Sequence, residues 1–330
     1  MDLIVIELHA RLFHDAKATL GECILWDDIN HALYWTDIEN ATLWRHTFAP
    51  DADWSNGAPA QYETHQWALP ERLASFALCT RPGWLLLGLA SRLALFEPAT
   101  NTFVDIVEVE ADLPRTRVND GRCDPQGRFV FGTFDQADKA EAVGHFWRLN
   151  ADLRLERLPL PRIACANSIA FDTRAAAAYP GAETSEKDQK APADPARMYF
   201  ADSLTRKIHR CDYFADGRLG VPTLFATLLA DESSPDGSTV DSQGGLWNAH
   251  WDGSRMVRFD SEGVMDVHVH VAASRLTCAT FGGPDRRTLF ITSARTGLQA
   301  EALASEPMAG GVFSVRTTFT GMSEYRFSGA

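Results

Sequence analysis

Four polar residues stand at the start of a short strand-forming segment: Glu22 ahead of CILW, Asn119 in VNDG, Asn167 ahead of SIAF, and Asp236 ahead of GSTV. If they converge, two carboxylates and two amides share one poorly hydrated place, where the amides need partners and the anions repel each other. A cation relieves that strain. An all-oxygen donor set from Glu22, Asn167 and Asp236 suits a hard divalent ion, Ca²⁺, Mg²⁺ or Mn²⁺, and leaves Zn²⁺ open through the carboxylates. Competing readings are plain: Asn119 and Asp236 lie near glycines and fit turns, and Glu22 fits a solvated strand end. Asn167 is the least turn-like, because it sits inside CANSIAF, where an unpaired amide is expensive.

Residues this far apart meet only if the chain repeats a unit that returns each of them to a common axis. Such a unit is present. A short apolar strand, a polar turn and a second apolar strand recur six times: LYWTDIENATLWRH, WLLLGLASRLALF, RFVFGTFDQ with GHFWRL, MYFADSLTRKIHRC, LWNAHWDGSRMVRFD, and TLFITSAR with GVFSV. The strand starts at Tyr34, Trp84, Phe129, Tyr199, Leu246 and Leu289 are about 45 residues apart, the repeat of four-stranded propeller blades. One interval is longer, about 70, and its excess falls in residues 173 to 197, an Ala-, Pro-, Glu- and Lys-rich stretch read as a polar surface loop without catalytic role. A further apolar segment and turn before each pair supplies the innermost strand, with DDIN, DPQG and GGPD as turns. Helical periodicity is nowhere sustained. The expectation is an all-β chain, one six-bladed β-propeller domain over residues 1 to 330, with four-stranded antiparallel blades around a central channel. Glu22 then belongs to blade one, Asn119 to blade three, Asn167 to blade four and Asp236 to blade five, all on inner strands that line the channel.

Composition excludes several classes. Hydrophobic residues at 45% and charged residues at 23% are those of a folded globular chain. A net charge of −13 opposes a nucleic-acid partner, which needs clustered cations. No leader-like segment or long apolar run is seen, so a soluble cytoplasmic protein without a membrane partner is expected. The six cysteines are widely separated and read as buried, reduced thiols.

The ordered motifs GECILWD at Gly21, RVNDGRCDPQGRFVFGT at Arg117, NSIAFD at Asn167, YFADSLTRKIHR at Tyr199, SPDGSTVDSQGGLW at Ser234 and TFGGPDRRTLFITSAR at Thr280 resemble the family of gluconolactonases, regucalcin (senescence marker protein) and luciferin-regenerating proteins. The resemblance spans nearly the whole chain. It implies one divalent metal ion on Glu22, Asn167 and Asp236, with Arg117 and Asn119 binding substrate. One departure stands out: where animal relatives carry an acidic residue that binds sugar hydroxyls, this chain has Ala137.

The implied reaction is hydrolysis of a sugar lactone such as glucono-, galactono-, arabinono- or xylonolactone, with the metal polarising the carbonyl and activating water and Asp236 as general base. His250 and Trp251 are a weaker suggestion for stacking on a sugar ring. Two rivals use the same scaffold: a metal-dependent propeller esterase or phosphotriesterase, and a non-catalytic calcium-binding propeller. A receptor-type binding propeller is suggested by Tyr34, Trp35, Thr36 and Asp37 alone.

Overall fold

The computed structural model describes residues 5–174, 195–228 and 233–330. The strands form six sheets arranged as blades, each meandering outward from an inner strand. The inner strands are Gly21–Asp27, Leu73–Leu78, Thr116–Cys123, Ala166–Asp172, Ser234–Val240 and Leu276–Gly282. Neighbouring inner strands pack in sequence, and the sixth returns to the first, which closes the ring around the channel. Most of the expected stretch 173 to 197 lies outside the described residues; its end joins the second strand of blade four, Ala196–Asp202.

The repeat has a simple physical origin. Both faces of an inner or second strand are covered by adjacent blades, so these strands are apolar on both sides instead of alternating. Ala32–Asp37 and Leu85–Leu89 are buried along their whole length, whereas the outermost strand of blade one, Glu63–Ala68, is almost wholly exposed. Between blades one and two, Leu25, Leu43, Phe76, Leu87 and Phe96 form one such core. The GT pair of blade three is explained by packing: a Cβ on Gly132 would overlap that of Ala166 on the next blade. The expected turns are present, with Asp27 Oδ1 accepting from the Ile29 and Asn30 amides and Asp124 Oδ1 accepting from those of Gln126 and Arg128.

Two arrangements go beyond the repeat. Arg11–His14 pairs with Val312–Arg316 as the outer strand of blade six, so that blade is assembled from both ends of the chain. Ile6–His9 adds a parallel fifth strand to blade five, against Met265–His270. Beneath the ring, residues 320–328 cross the far end of the channel and touch every blade. The Phe327 amide donates to Leu78 O at 2.8 Å, Arg326 reaches Asp27 at 2.6 Å, and Tyr325 meets Thr173 at 2.9 Å. Gly321 N donates to Arg286 O at 2.7 Å and bridges Asp241, while Glu324 pairs with Arg122 at 2.7 and 2.9 Å.

Candidate active site in the channel

The site residues stand where the inner strands break register. Pairing with the second strand lapses between Glu22 and Leu25, Val118 and Gly121, Asn167 and Ala170, Pro235 and Ser238, and Leu276 and Ala279. In each of these blades two residues are left out of the ladder, a bulge that turns backbone and side chains toward the axis. Blade two drops one residue, the apolar Ala74, and supplies no polar group there. Glu22 and Asn167 immediately precede the bulge, followed by Cys23 and Ser168 in left-handed conformation at φ 41° and 61°. Asn119 and Asp236 lie within it. The turn reading of Asn119 and Asp236 is thereby replaced by irregular strand. Left-handed backbone at a non-glycine residue is held by its surroundings and concentrates at functional sites.

The five expected residues come together. The charge problem is visible at once: the Glu22 and Asp236 side chains meet at hydrogen-bonding range, and Asp120 faces both. Asn119 Nδ2 donates to Ala166 O at 2.8 Å and makes a long contact, 3.4 Å, to Asn167 Oδ1. Asn119 Oδ1 accepts from Arg117 Nη1 at 2.5 Å, and the guanidinium lies 5.0 Å from the Phe134 ring centroid. Asn167 Nδ2 donates to Ser203 Oγ at 2.8 Å, which directs its carbonyl oxygen away from Ser203. Asp236, Asn167 and Arg117 are buried.

Burial dominates the electrostatics. It pushes the Glu22 carboxyl up to about 8, against a donated Cys23 amide and with Asp120 adding to the rise. Asp236 is raised for the same reason, then by Glu22 and Asp120. Asp120 goes up to about 6, restrained by the Ile169 amide at 2.7 Å and by Arg122. Arg117 is pulled down by loss of water.

Asp120, Ser168, Ser203 and Asn248 were not among the expected residues. Ser168 Oγ and Asn248 Nδ2 donate to Asp236 O at 2.7 and 2.9 Å, and Ser203 Oγ donates to Pro235 O at 2.8 Å, so a hydroxyl–amide network fixes the Asp236 backbone. A signal for Asp120 was present: two adjacent polar residues, Asn119 and Asp120, interrupt a strand, as a bulge does. Ala137 is half-buried; beside it Gln136 Oε1 accepts from Arg72 Nη2 at 2.5 Å. His250 is buried, with Nδ1 accepting from Arg255 Nε at 3.1 Å, and Trp251 lies under the Arg275 guanidinium at 5.0 Å, so packing accounts for both. Asp37 closes the Tyr34–Asp37 stretch by accepting from the Thr19 and Leu20 amides, a structural role.

The family profile described as SMP-30/Gluconolactonase/LRE-like region matches residues 20–188 and 191–295. The chain belongs to this family. An L-arabinolactonase of Azospirillum brasilense is 46% identical over 97% of this chain and 96% of its own length. A 6-deoxy-6-sulfogluconolactonase of Pseudomonas putida is 29% identical over 94% and 96%. Among solved structures, a calcium-binding regucalcin from Agrobacterium tumefaciens superposes with a TM-score of 0.82 at 25% identity, covering 98% of this chain and 99% of that one. The family read from the ordered motifs and the six-bladed fold read from the repeated strand pairs agree with these matches. The six cysteines are free thiols, five of them buried, and no described helix is long and apolar enough to cross a membrane.

Proposed function

We propose that this family member is a metal-dependent sugar lactonase that opens an aldonolactone to the sugar acid, with L-arabinono-γ-lactone the first substrate to test. The supporting observation is the convergence of Glu22, Asn167 and Asp236 beside Arg117 and Asn119, in a chain 46% identical to an L-arabinolactonase. The residues fit a divalent ion: two mutually repelling buried carboxylates and an amide whose nitrogen is already engaged present oxygen donors. Glu22, Asn167 and Asp236 would hold the ion, which when bound supplies Lewis-acid polarisation of the lactone carbonyl and a lowered pKa of water.

The chain's own groups carry the rest. Asp236 takes a proton from the attacking water and returns it to the ring oxygen as the C–O bond breaks, so the same carboxyl serves as base and then acid. Ser168 and Asn248, through the Asp236 carbonyl, hold it in place. Arg117, clamped to Asn119 and backed by Phe134, orients the ring and its hydroxyls. The Arg72–Gln136 pair is the polar feature next to Ala137, where animal relatives carry an acid.

Metal-depleted protein should be supplied with a panel of sugar γ- and δ-lactones, following acid release before and after adding back Ca²⁺, Mg²⁺, Mn²⁺ or Zn²⁺. Turnover that a chelator removes and one of these ions restores supports the reading. No turnover of any lactone overturns it; turnover of aryl or phosphate esters instead would assign the esterase chemistry, and tight Ca²⁺ binding without turnover a non-catalytic role.

A further inference from the structure

Residues 6–14 run along the outside of two blades, first as the added parallel strand of blade five and then as the closing strand of blade six. In the parallel pair, Glu7 is in register with His268 and His9 with His270. Side chains two residues apart share a face of a strand, so all four fall on one face. Glu7 Oε2 lies 2.7 Å from His270 Nε2 and 3.3 Å from His268 Nδ1. The two imidazole centroids are 4.1 Å apart, and the His9 ring stacks on His270 at 4.7 Å with 13° between planes. One carboxylate oxygen and two ring nitrogens thus lie within 4.8 Å of one another.

We propose that Glu7, His268 and His270 form a binding site for a late first-row divalent ion, Zn²⁺ or Cu²⁺, which ties the N-terminal strand to blade five. The reasons are chemical and geometric. Two imidazoles and a carboxylate form a borderline donor set that favours such ions over Ca²⁺ and Mg²⁺. Each ligand comes from a strand held in register, and His9 packs against one of the rings. This strand continues within two residues into Arg11–His14, the strand that closes the ring, so an ion bound here restrains the closure of the whole propeller. The site is separate from the channel and its donors differ in kind, so it stands or falls independently of the lactonase reading.

Copper distinguishes the two sites, because nitrogen ligands split its electron paramagnetic resonance signal and oxygen ligands do not. Metal-depleted full-length protein with one equivalent of Cu²⁺ should show hyperfine structure from imidazole nitrogens, and that structure should be lost when His268 and His270 are both replaced by Asn, while the metal-replete variant keeps lactone turnover within about twofold of the unsubstituted protein. Zn²⁺ should slow amide exchange across residues 6–9, and Ca²⁺ should not. An oxygen-only signal in the unsubstituted protein overturns the proposal without any variant having to fold. So does nitrogen splitting that persists in the variant with both His268 and His270 replaced, which would place the copper on other histidines.

Discussion

The two ends of the channel bury charge in opposite ways. At the far end Arg122 and Glu324 meet in a two-contact ion pair, with Thr280 Oγ1 also donating to Glu324, and the nearby guanidinium is held more firmly protonated by that carboxylate. At the near end Glu22, Asp120 and Asp236 face one another, and Arg117, the cation acting on Glu22, is engaged with Asn119. Asp120 lies between the two: restrained by the Ile169 amide and then by Arg122, it stops at about 6, while Glu22 rises to about 8. A fold that neutralises one buried cluster internally and leaves the other short of positive charge has separated a structural pair from a site that calls for a ligand.

The largest effect that would sharpen this contrast is chemical. Asp236→Ala should lower lactone turnover by about 10²- to 10⁴-fold, the range for a general acid–base group; initial rates of acid release check it, and near-normal turnover would remove Asp236 from the reaction. At the other end the effect should be on stability. Arg122→Ala leaves Glu324 buried without its partner and should cost about 3–5 kcal/mol in urea unfolding, with turnover per folded molecule retained. Equal loss of turnover and stability there would break the distinction between the ends.

A third buried titratable group tests how the fold handles charge away from the channel. His46 accepts from Trp35 Nε1 at 3.0 Å and is held down at about 3 by burial and by His14. Because its folded pKa lies below the unfolded value of 6.5, the stability it supports is complete above 6.5 and is lost as pH falls toward 3, at about 1.4 kcal/mol per pH unit for one proton. The difference in unfolding free energy between the unsubstituted protein and His46→Gln, measured between pH 7 and 4, should change with that slope. The smallest effect returns to the near end: in metal-free protein Glu22→Gln removes a repelled carboxylate and should raise stability by about 1 kcal/mol, seen as a higher Tm, while abolishing the gain from added metal.

Glu22, Asn167 and Asp236 were legible because each ends or interrupts an apolar run at a repeated distance from a second strand, and the blade repeat itself follows from strands covered on both faces. Asp120 was missed although Asn119 and Asp120 interrupt a strand together, because the following Gly121 makes the pair look like a turn. Ser168 and Asn248 act through the Asp236 carbonyl, a relation that exists only once blades four and five are side by side. Arg11–His14 and Glu324 belong to segments outside the repeat, whose partners are at the opposite end of the sequence.

The paired lapses in the inner strands have a consequence for variation. Ladder hydrogen bonds resume on both sides of each bulge, so residues such as Asn119, Asp236 and Thr277 can be exchanged without unpicking the sheet that carries them. The ring behaves as a set of sockets around a fixed frame: the frame's stability is set by the interblade cores, and the chemistry by what is plugged in. Blade two, whose lapse holds the buried Ala74 of an apolar core, is the socket left blank.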